Sequence, residues 1–103
     1  MLATMKADYD SEADALSIDL GAAEHCDDGV SMDKDENCNL ALLNGQVVNV
    51  ELLYPADNLE LLGVAAERFD LDGQGLLAAA KAALAAPDRL MTLGFGRRLA
   101  GSS

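Results

Sequence analysis

The clearest structural signal in this chain of 103 residues is the segment Asn39-Leu-Ala-Leu-Leu-Asn-Gly-Gln-Val-Val-Asn-Val-Glu-Leu-Leu-Tyr54. Two runs rich in Leu and Val flank the dipeptide Asn44-Gly45. Asn and Gly both tolerate the positive φ angles that the tight turn of a β-hairpin requires. We therefore expect two antiparallel strands joined at Asn44-Gly45.

The register of this hairpin is predicted from the positions of its apolar residues. With a two-residue turn, Leu43 pairs with Gln46 and the apolar residues are split between the two faces. A three-residue loop, Leu43-Asn44-Gly45, with Gly45 in the left-handed bulge position, avoids that split and is the predicted connection. It places on one face Leu40, Leu42, Val48, Val50, Leu52 and Tyr54. The other face then carries Asn39, Ala41, Val47, Asn49, Glu51 and Leu53.

A second hairpin is predicted near the N-terminus, where apolar and polar residues alternate with a period of two. The apolar residues of its two runs are Met5, Ala7, Tyr9, Leu16, Ile18 and Leu20. Between the runs, Asp10-Ser-Glu-Ala-Asp14 has the small and Asx-type residues of a tight turn. We expect an antiparallel pair with one solvated face. Residues 21–37 show no clear pattern, apart from a short strand expected near residues 24–26.

Helices are predicted after Pro55, where the composition changes to Ala and Leu. The spacing of Asp57 and Glu60 predicts a capping box for a first helix that ends near Arg68. The apolar stripe of this helix is expected to be Leu59, Leu62, Ala66 and Phe69.

A second helix is predicted over residues 76–86, with Asp72 as its cap and Pro87 at its end. Residues 90–95 are predicted to form a short edge strand or an extended arm. The residues of the second helix that are expected to face inward are Leu76, Leu77, Ala80 and Leu84.

The predicted strands precede the predicted helices along the chain, and this order is typical of an α+β fold. We expect one domain, residues 1–103. An antiparallel β-meander of four to five strands is expected in residues 1–54. Two helices packed on one face, with a short C-terminal strand, are expected in residues 55–100. A chain of this length excludes an enzyme with a cleft between two domains.

The chain is strongly acidic, with 18 Asp and Glu against 7 Lys and Arg and a net charge of −11. Such a charge repels the phosphates of nucleic acids and anionic membrane surfaces, so neither is an expected partner. More than half of the acids lie in residues 1–36, where only Lys6 and Lys34 oppose them. A basic protein surface is the expected partner of residues 8–36, and the expected interaction residues are Asp27, Asp28, Asp33 and Asp35.

A cytoplasmic location is expected, because the N-terminal residues lack the basic start and apolar stretch of a secretory signal. The longest apolar stretch, residues 76–86, is shorter than the about 20 residues that span a bilayer. In a reducing compartment, Cys26 and Cys38 are expected to be free thiols. No cofactor is expected, because the glycines fit neither a phosphate loop nor a dinucleotide-binding fingerprint.

Clustered carboxylates raise the alternative of a small carboxylate-based enzyme or a metal-binding protein. The candidates are Asp10, Glu12 and Asp14 in the first predicted turn. Carboxylates at a tight turn usually bond local backbone donors, and an acid–base pair needs an apolar pocket that separates the two pKa values. We expect a structural role for these acids.

Two further patterns resemble metal sites but lack required ligands. Residues 33–37 begin like a calcium loop, but Cys38 and Asn44 stand where that loop needs Gly and Glu. The set His25, Cys26 and Cys38 matches no zinc spacing. We therefore expect no bound metal.

The first hairpin resembles a known sequence pattern, since it reads Tyr9-Asp-Ser-Glu-Ala-Asp-Ala-Leu-Ser-Ile18. It is similar to the opening Tyr-Asp-Pro-Glu-Ala-Asp-Ala-Leu-Tyr-Ile of domain-of-unknown-function family 2283, from which it departs at Ser11 and Ser17. Residues 44–53 are similar to the family's Asp-Gly-Arg-Val-Val-Gly-Ile-Glu-Ile-Leu hairpin. The family is small, prokaryotic and uncharacterised, so the resemblance implies no catalytic residue. Members that look like partners of small toxin-like proteins imply an antitoxin-like role.

These observations predict a non-enzymatic interaction or regulatory protein. A homodimer is also expected, because strand edges of small sheets are usually covered. Its expected contact residues, on the sheet face away from the helices, are Ala41, Val47 and Leu53.

Overall fold

The computed structural model describes residues 2–21 and 26–96. In these residues the chain forms six strands and three helices, so the predicted α+β fold is confirmed with slightly more elements than expected. The strands are β1 (Leu2–Asp10), β2 (Ala15–Asp19), β3 (Asp28–Ser31), β4 (Cys38–Leu43), β5 (Gln46–Leu53) and β6 (Leu90–Gly96). The helices are α1 (Pro55–Asn58), α2 (Glu60–Phe69) and α3 (Gly73–Ala85).

The strands form one antiparallel sheet in the order β3-β4-β5-β2-β1-β6. β1 and β2 form the predicted N-terminal hairpin, and β3, β4 and β5 form a meander. β5 then pairs with β2, and β6 returns to pair with β1. The sheet is therefore not a single meander in chain order, and the acidic first hairpin lies inside it between β5 and β6.

One face of the sheet is apolar and is covered by α2 and α3. The strand residues buried on this face are Met5, Ala7, Leu16, Ile18, Cys38, Leu40, Leu42, Val50 and Leu52. The helices contribute Leu62, Ala65, Ala66, Leu76, Ala79, Ala80 and Ala83 to the same cluster. Burial of one Leu side chain contributes roughly 1.5–3 kcal/mol, so this layer holds the sheet and the helices together. On the opposite face, the described residues Asp8, Asp19 and Glu51 are exposed.

The β4–β5 hairpin has a two-residue turn, and the predicted three-residue loop is wrong. Leu43 pairs with Gln46, and Asn44 (φ 53°) and Gly45 (φ 81°) both have positive φ angles. These angles are typical of a type I′ turn, whose twist matches that of the two strands. The positive φ predicted for Gly45 is confirmed.

A β-bulge after the turn keeps the apolar residues on one face. The pairing shifts by one residue between Ala41 and Leu42, so that Leu42 lies opposite Val47 and Val48 is the extra residue. Val47 packs against the core, whereas Val48 is not among the core residues. The prediction that placed Val48 on the core face and Val47 on the opposite face is therefore wrong. Tyr54, which was expected on the core face, is 55% exposed. The shared burial is confirmed for Leu40, Leu42, Val50 and Leu52.

The first helical segment does not begin with the predicted capping box of Asp57 and Glu60. α1 begins at Pro55, whose fixed φ suits a first helical position, after Tyr54 with φ 48°. α2 begins at Glu60, and Leu59 before it makes no side-chain cap. Because Pro55 already starts the helical backbone, no cap at Asp57 is needed. The expected α2 stripe is buried or half-buried at Leu59, Leu62, Ala66 and Phe69.

Asp72 caps α3 as predicted, because its Oδ1 accepts from the backbone N–H of Gly75 at 3.0 Å. Of the residues expected to face inward, Leu77 and Leu84 are only half-buried. The buried face is made instead of small residues and one Leu, namely Gly75, Leu76, Ala79, Ala80 and Ala83. Small side chains let α3 approach the sheet closely.

β6 is an edge strand, which was one of the two predicted alternatives for residues 90–95. It pairs with β1 from Gly96 opposite Leu2 to Leu90 opposite Asp8. Of the short strand expected near residues 24–26, only Cys26 is among the described residues, and it lies outside the strands. None of the helices in the described part of the chain is long and apolar enough to cross a bilayer.

Candidate functional site

The sheet face opposite the helices is polar and carries exposed carboxylates. One row of directly paired residues crosses β1, β2, β5 and β4 as Asp8, Ser17, Glu51 and Asn39. The next row crosses the same strands as Lys6, Asp19, Asn49 and Ala41. Neighbouring strands lie about 4.8 Å apart, so Asp8 and Glu51 are separated by about 10 Å. Three carboxylates, Asp8, Asp19 and Glu51, thus share one small patch.

Asn49 links these rows. Its Nδ2 donates to Ser17 Oγ at 2.9 Å and to Asp19 Oδ1 at 2.6 Å. A neutral donor leaves the negative charge of Asp19 in place, whereas Lys6, directly opposite Asp19, offsets part of it. The patch remains negative because Asp8 and Glu51 lie in the neighbouring row.

The four predicted interaction residues lie at the two ends of β3, which is an edge strand of the sheet. Asp27 and Asp28 lie at its start, and Asp33 and Asp35 lie in the turn that follows it. Five residues of extended chain span at most about 17 Å, so the two pairs of acids flank one short strand. The structure places all four along the same edge.

Two of these four acids also have structural roles. Asp33 Oδ1 accepts from the backbone N–H groups of Asn37 at 2.9 Å and Cys38 at 3.0 Å, which fixes the β3–β4 turn. Asp27 Oδ2 accepts from the N–H of Asn44 at 3.2 Å, which links the start of the edge strand to the β4–β5 turn. The substitution of either acid would disturb a turn.

Asp28 and Asp35 are better suited to report on binding. Both side chains are exposed. Asp28 Oδ1 accepts a hydrogen bond from the N–H of the adjacent residue, Gly29, at 2.8 Å. Replacement of these two side chains leaves the Asp33 and Asp27 contacts in place.

The carboxylates of the first turn have the local structural role that was predicted. Asp10 Oδ1 accepts from the N–H groups of Glu12 at 3.0 Å and Ala13 at 3.2 Å. Asp14 Oδ1 accepts from the hydroxyl of Tyr9 at 2.7 Å, and this bond raises the pKa of Tyr9. Among the described residues, no group of three or more His, Cys, Asp and Glu side chains is placed to hold a metal ion. The hydrogen bonds of Asp10 and Asp14 thus stabilise the first turn.

The two cysteines are free thiols in different environments. Cys26 is exposed, whereas Cys38 is buried. Burial, with a smaller contribution from the charge of Asp33, raises the pKa of Cys38 to about 11. A thiol that stays protonated at neutral pH is a poor nucleophile. His25, which was weighed with Cys26 and Cys38 and matches no zinc spacing with them, lies outside the described residues.

A shallow apolar groove of about 540 Å³ lies between α2 and α3. Its apolar and small lining residues are Leu59, Leu62, Gly63, Ala66, Gly73 and Leu77. Glu60 and Gln74 add its polar groups. Glu60 is the only carboxylate among the described residues that line this groove, and it stands beside leucines and small residues.

The edge strand β3, which lies beside the predicted interaction residues, was not predicted from the sequence. Asp28-Gly-Val-Ser31 contains one β-branched residue and no apolar–polar alternation, so the pattern of a strand is absent from it. The acids beside it, Asp27, Asp28, Asp33 and Asp35, were predicted as interaction residues from charge alone, without a strand between them. The chain matches no protein-family profile, no curated protein and no solved structure.

Proposed function

We propose that this chain is a non-enzymatic interaction module of the regulatory, antitoxin-like kind, whose acidic surface binds a basic partner protein. The observation that carries the proposal is the separation of the two sheet faces. The apolar face is covered by the helices, whereas the open face presents Asp8, Asp19 and Glu51 in adjacent rows. Asp28 and Asp35 extend this charge around the edge at β3.

The hydrogen bonds that these acids accept leave their charge available. Asp19 accepts from an amide and Asp28 from a backbone N–H, both of which are neutral donors. Lys and Arg side chains of a partner can therefore pair with them, and such complementary charges steer association and fix register. A polyanion such as DNA is repelled by the same surface.

Other acids of the chain stabilise turns through hydrogen bonds, which favours this function over the enzymatic alternative. Asp10, Asp14 and Asp33 bond backbone or tyrosine donors within their own turns. The resemblance of the first hairpin to family 2283 adds the antitoxin-like analogy, and the two free thiols suit a reducing cytoplasm.

The open sheet face is less suited to a second copy of this chain. Ala41 and Leu53 are half-buried there, but Val47 packs against the core on the other side. A homodimer through this face brings Asp8 and Glu51 of both copies together, which is unfavourable for like charges. We therefore assign the face to a basic partner.

Affinity capture from the chain's own host tests the proposal. The wild type is compared with Asp28→Lys and Asp35→Lys, and with the control Glu60→Lys, which makes the same change of charge at an exposed position of α2. We expect a basic protein that is retained by the wild type and the control and is reduced several-fold by the β3 variants. Equal retention by all four proteins, or retention of nucleic acid, would contradict the proposal.

A further inference from the structure

β3 exposes backbone hydrogen-bonding groups at the edge of the sheet. It pairs with β4 on one side, and no described residue pairs with its other side. The N–H of Met32, just after β3, donates to the carbonyl of Cys38 at 2.8 Å. Backbone groups of alternate residues point to the same neighbouring strand, so those of Val30 also point toward β4. The N–H and C=O groups of Gly29 and Ser31 therefore point away from β4. Groups in this arrangement are a template for a further strand.

One of these outward N–H groups, that of Gly29, already donates a hydrogen bond to an exposed carboxylate. Asp28 Oδ1 accepts from the N–H of Gly29 at 2.8 Å. If the carbonyl of an incoming strand takes over this N–H, Asp28 becomes available to a basic side chain of the same strand. The exchange keeps the number of hydrogen bonds and adds an ion pair.

The two faces beside β3 differ in chemistry. On the helix side, Val30 is 37% exposed and Val64 of α2 is 42% exposed. Met32, Val64 and Arg68 line a groove of about 520 Å³ on this side. The groove is mixed, because Glu67 also lines it, so an apolar side chain of an added strand would find its apolar contacts at Val30, Met32 and Val64.

On the open side of the sheet, a groove of about 310 Å³ runs beside Gly29 and includes Asn39, Asn49 and Glu51. The absence of a side chain at Gly29 keeps this groove open. A Cβ there would meet only the carbonyl oxygen of Leu40 at an ordinary 3.6 Å, so close packing is not the reason for glycine at this position. A basic side chain of an added strand would extend over Gly29 toward the amide of Asn39 on β4. Glu51 on β5 is three strand spacings away, about 14 Å, and adds only long-range attraction.

We propose that the partner binds by strand addition, with an extended segment of alternating basic and apolar residues pairing alongside β3. Side chains of alternate residues point to opposite faces of a strand, so one set covers Val30 and Met32 while the other lies over Gly29 and extends toward Asn39. Asp28 lies at the start of β3 on the Val30 side, and Asp35 lies in the turn beyond its other end, so these acids attract basic residues at the two ends of the added segment. This inference rests on the proposed function and names the form in which the basic partner binds.

Two synthetic peptides of equal composition test the inference on the wild-type protein. The first is the alternating peptide Lys-Val-Lys-Val-Lys-Val-Lys, and the second is its block isomer Lys-Lys-Lys-Lys-Val-Val-Val. Binding is measured by isothermal titration calorimetry at low salt. We expect the alternating peptide to bind at least about tenfold more tightly, because only its pattern matches both faces and the edge.

Backbone methylation of the alternating peptide tests the hydrogen bonds directly. Alternate N–H groups of an added strand point toward β3, and the others point away. Of two peptides methylated on alternate nitrogens, one is expected to lose binding and the other to keep it. Amide hydrogen exchange of Ser31 is expected to slow at least about tenfold in the complex, and that of β6 is expected to stay unchanged.

A Gly29→Pro variant removes an outward N–H without removing a bond between β3 and β4, and it is expected to weaken binding of the alternating peptide. The control Glu60→Lys is expected to bind it as the wild type does. If both peptides bind with equal affinity, and Asp28→Lys weakens the binding of both equally, strand addition is overturned. Binding through the acidic surface would still hold. No measurable binding of the alternating peptide, or protection at β6 in place of Ser31, would also overturn strand addition.

Discussion

Ser11 and Asp88 are joined by two hydrogen bonds although 77 positions separate them in the sequence. The N–H of Ser11 donates to Asp88 Oδ1 at 3.0 Å, and its hydroxyl donates to Asp88 Oδ2 at 2.7 Å. The N–H of Asp88 in turn donates to the carbonyl of Tyr9 at 2.8 Å. These bonds clamp the tip of the first hairpin to the turn that leads into β6.

The clamp predicts a pH-dependent part of the stability. The bonds from Ser11 lower the pKa of Asp88 below its ordinary value near 4. A lowered pKa stabilises the folded state above the unfolded-state pKa, and this contribution is lost as the pH falls through the lower folded-state value. We expect the difference in unfolding free energy between the wild type and Asp88→Asn to shrink between about pH 5 and pH 3, measured by urea denaturation. A difference that is constant over this range would contradict the clamp.

The two thiols are expected to differ in reactivity. Cys38 is buried with a pKa of about 11, whereas Cys26 is exposed. In the native protein at pH 8, iodoacetamide is expected to modify one thiol quickly, and peptide mass analysis should locate it at Cys26. Cys38 should react only after denaturation. Equal rates of modification, or a disulfide between the two, would show that Cys38 is not buried as described.

The β-bulge predicts unequal effects of two nearby truncations. Leu40 is 2% exposed in the core, so Leu40→Ala is expected to destabilise the protein by about 2–5 kcal/mol. Val48, the extra residue, is half-buried, and Val48→Ala is expected to cost less than about 1 kcal/mol. Chemical denaturation of both variants compares the two costs. Similar costs would indicate that Val48 lies in the core, as the three-residue loop predicts.

Gly63 and Gly75 are expected to respond in opposite directions to alanine. A Cβ at Gly63, in the exposed interior of α2, would meet nothing within 4 Å, so Gly63→Ala should stabilise the protein by about 1 kcal/mol through helix propensity. A Cβ at Gly75 would lie 2.6 Å from Oδ2 of its capping residue Asp72 and 3.1 Å from Cε of Met5. Gly75→Ala should therefore lower the melting temperature. Stabilisation by both substitutions would contradict the described packing of α3.

Local sequence signals predicted the elements that depend on neighbours in the chain. The alternation around Ile18 and Val50 identified two hairpins, and Asp72 marked the start of α3. The bulge at Val48 was not predicted from the apolar pattern. One extra residue keeps the apolar side chains on one face whether it lies in the loop or in the strand after the turn. β3 was missed because its strand conformation comes from pairing with β4 and not from its own residues.

Long-range contacts explain the rest of the difference. The bonds between Ser11 and Asp88, and the pairing of β6 with β1, join distant segments that no short-range pattern connects. The acidic character of the site was predictable from composition, but its position was not. Only the strand order showed that Asp8, Asp19 and Glu51 share one open face and that Asp28 stands at an edge.

The association rate constant of the co-purified basic partner, measured at increasing salt, tests the central claim most directly. The Debye length falls from about 10 Å at 0.1 M to about 3 Å at 1 M, so steering by the acidic surface should fade over this range. We predict a steep decrease of the rate with salt, and at low salt a several-fold lower rate for Asp28→Lys than for the control Glu60→Lys. A rate that does not depend on salt, or equal rates for the two variants, would contradict the claim that the open face and the β3 edge bind the partner.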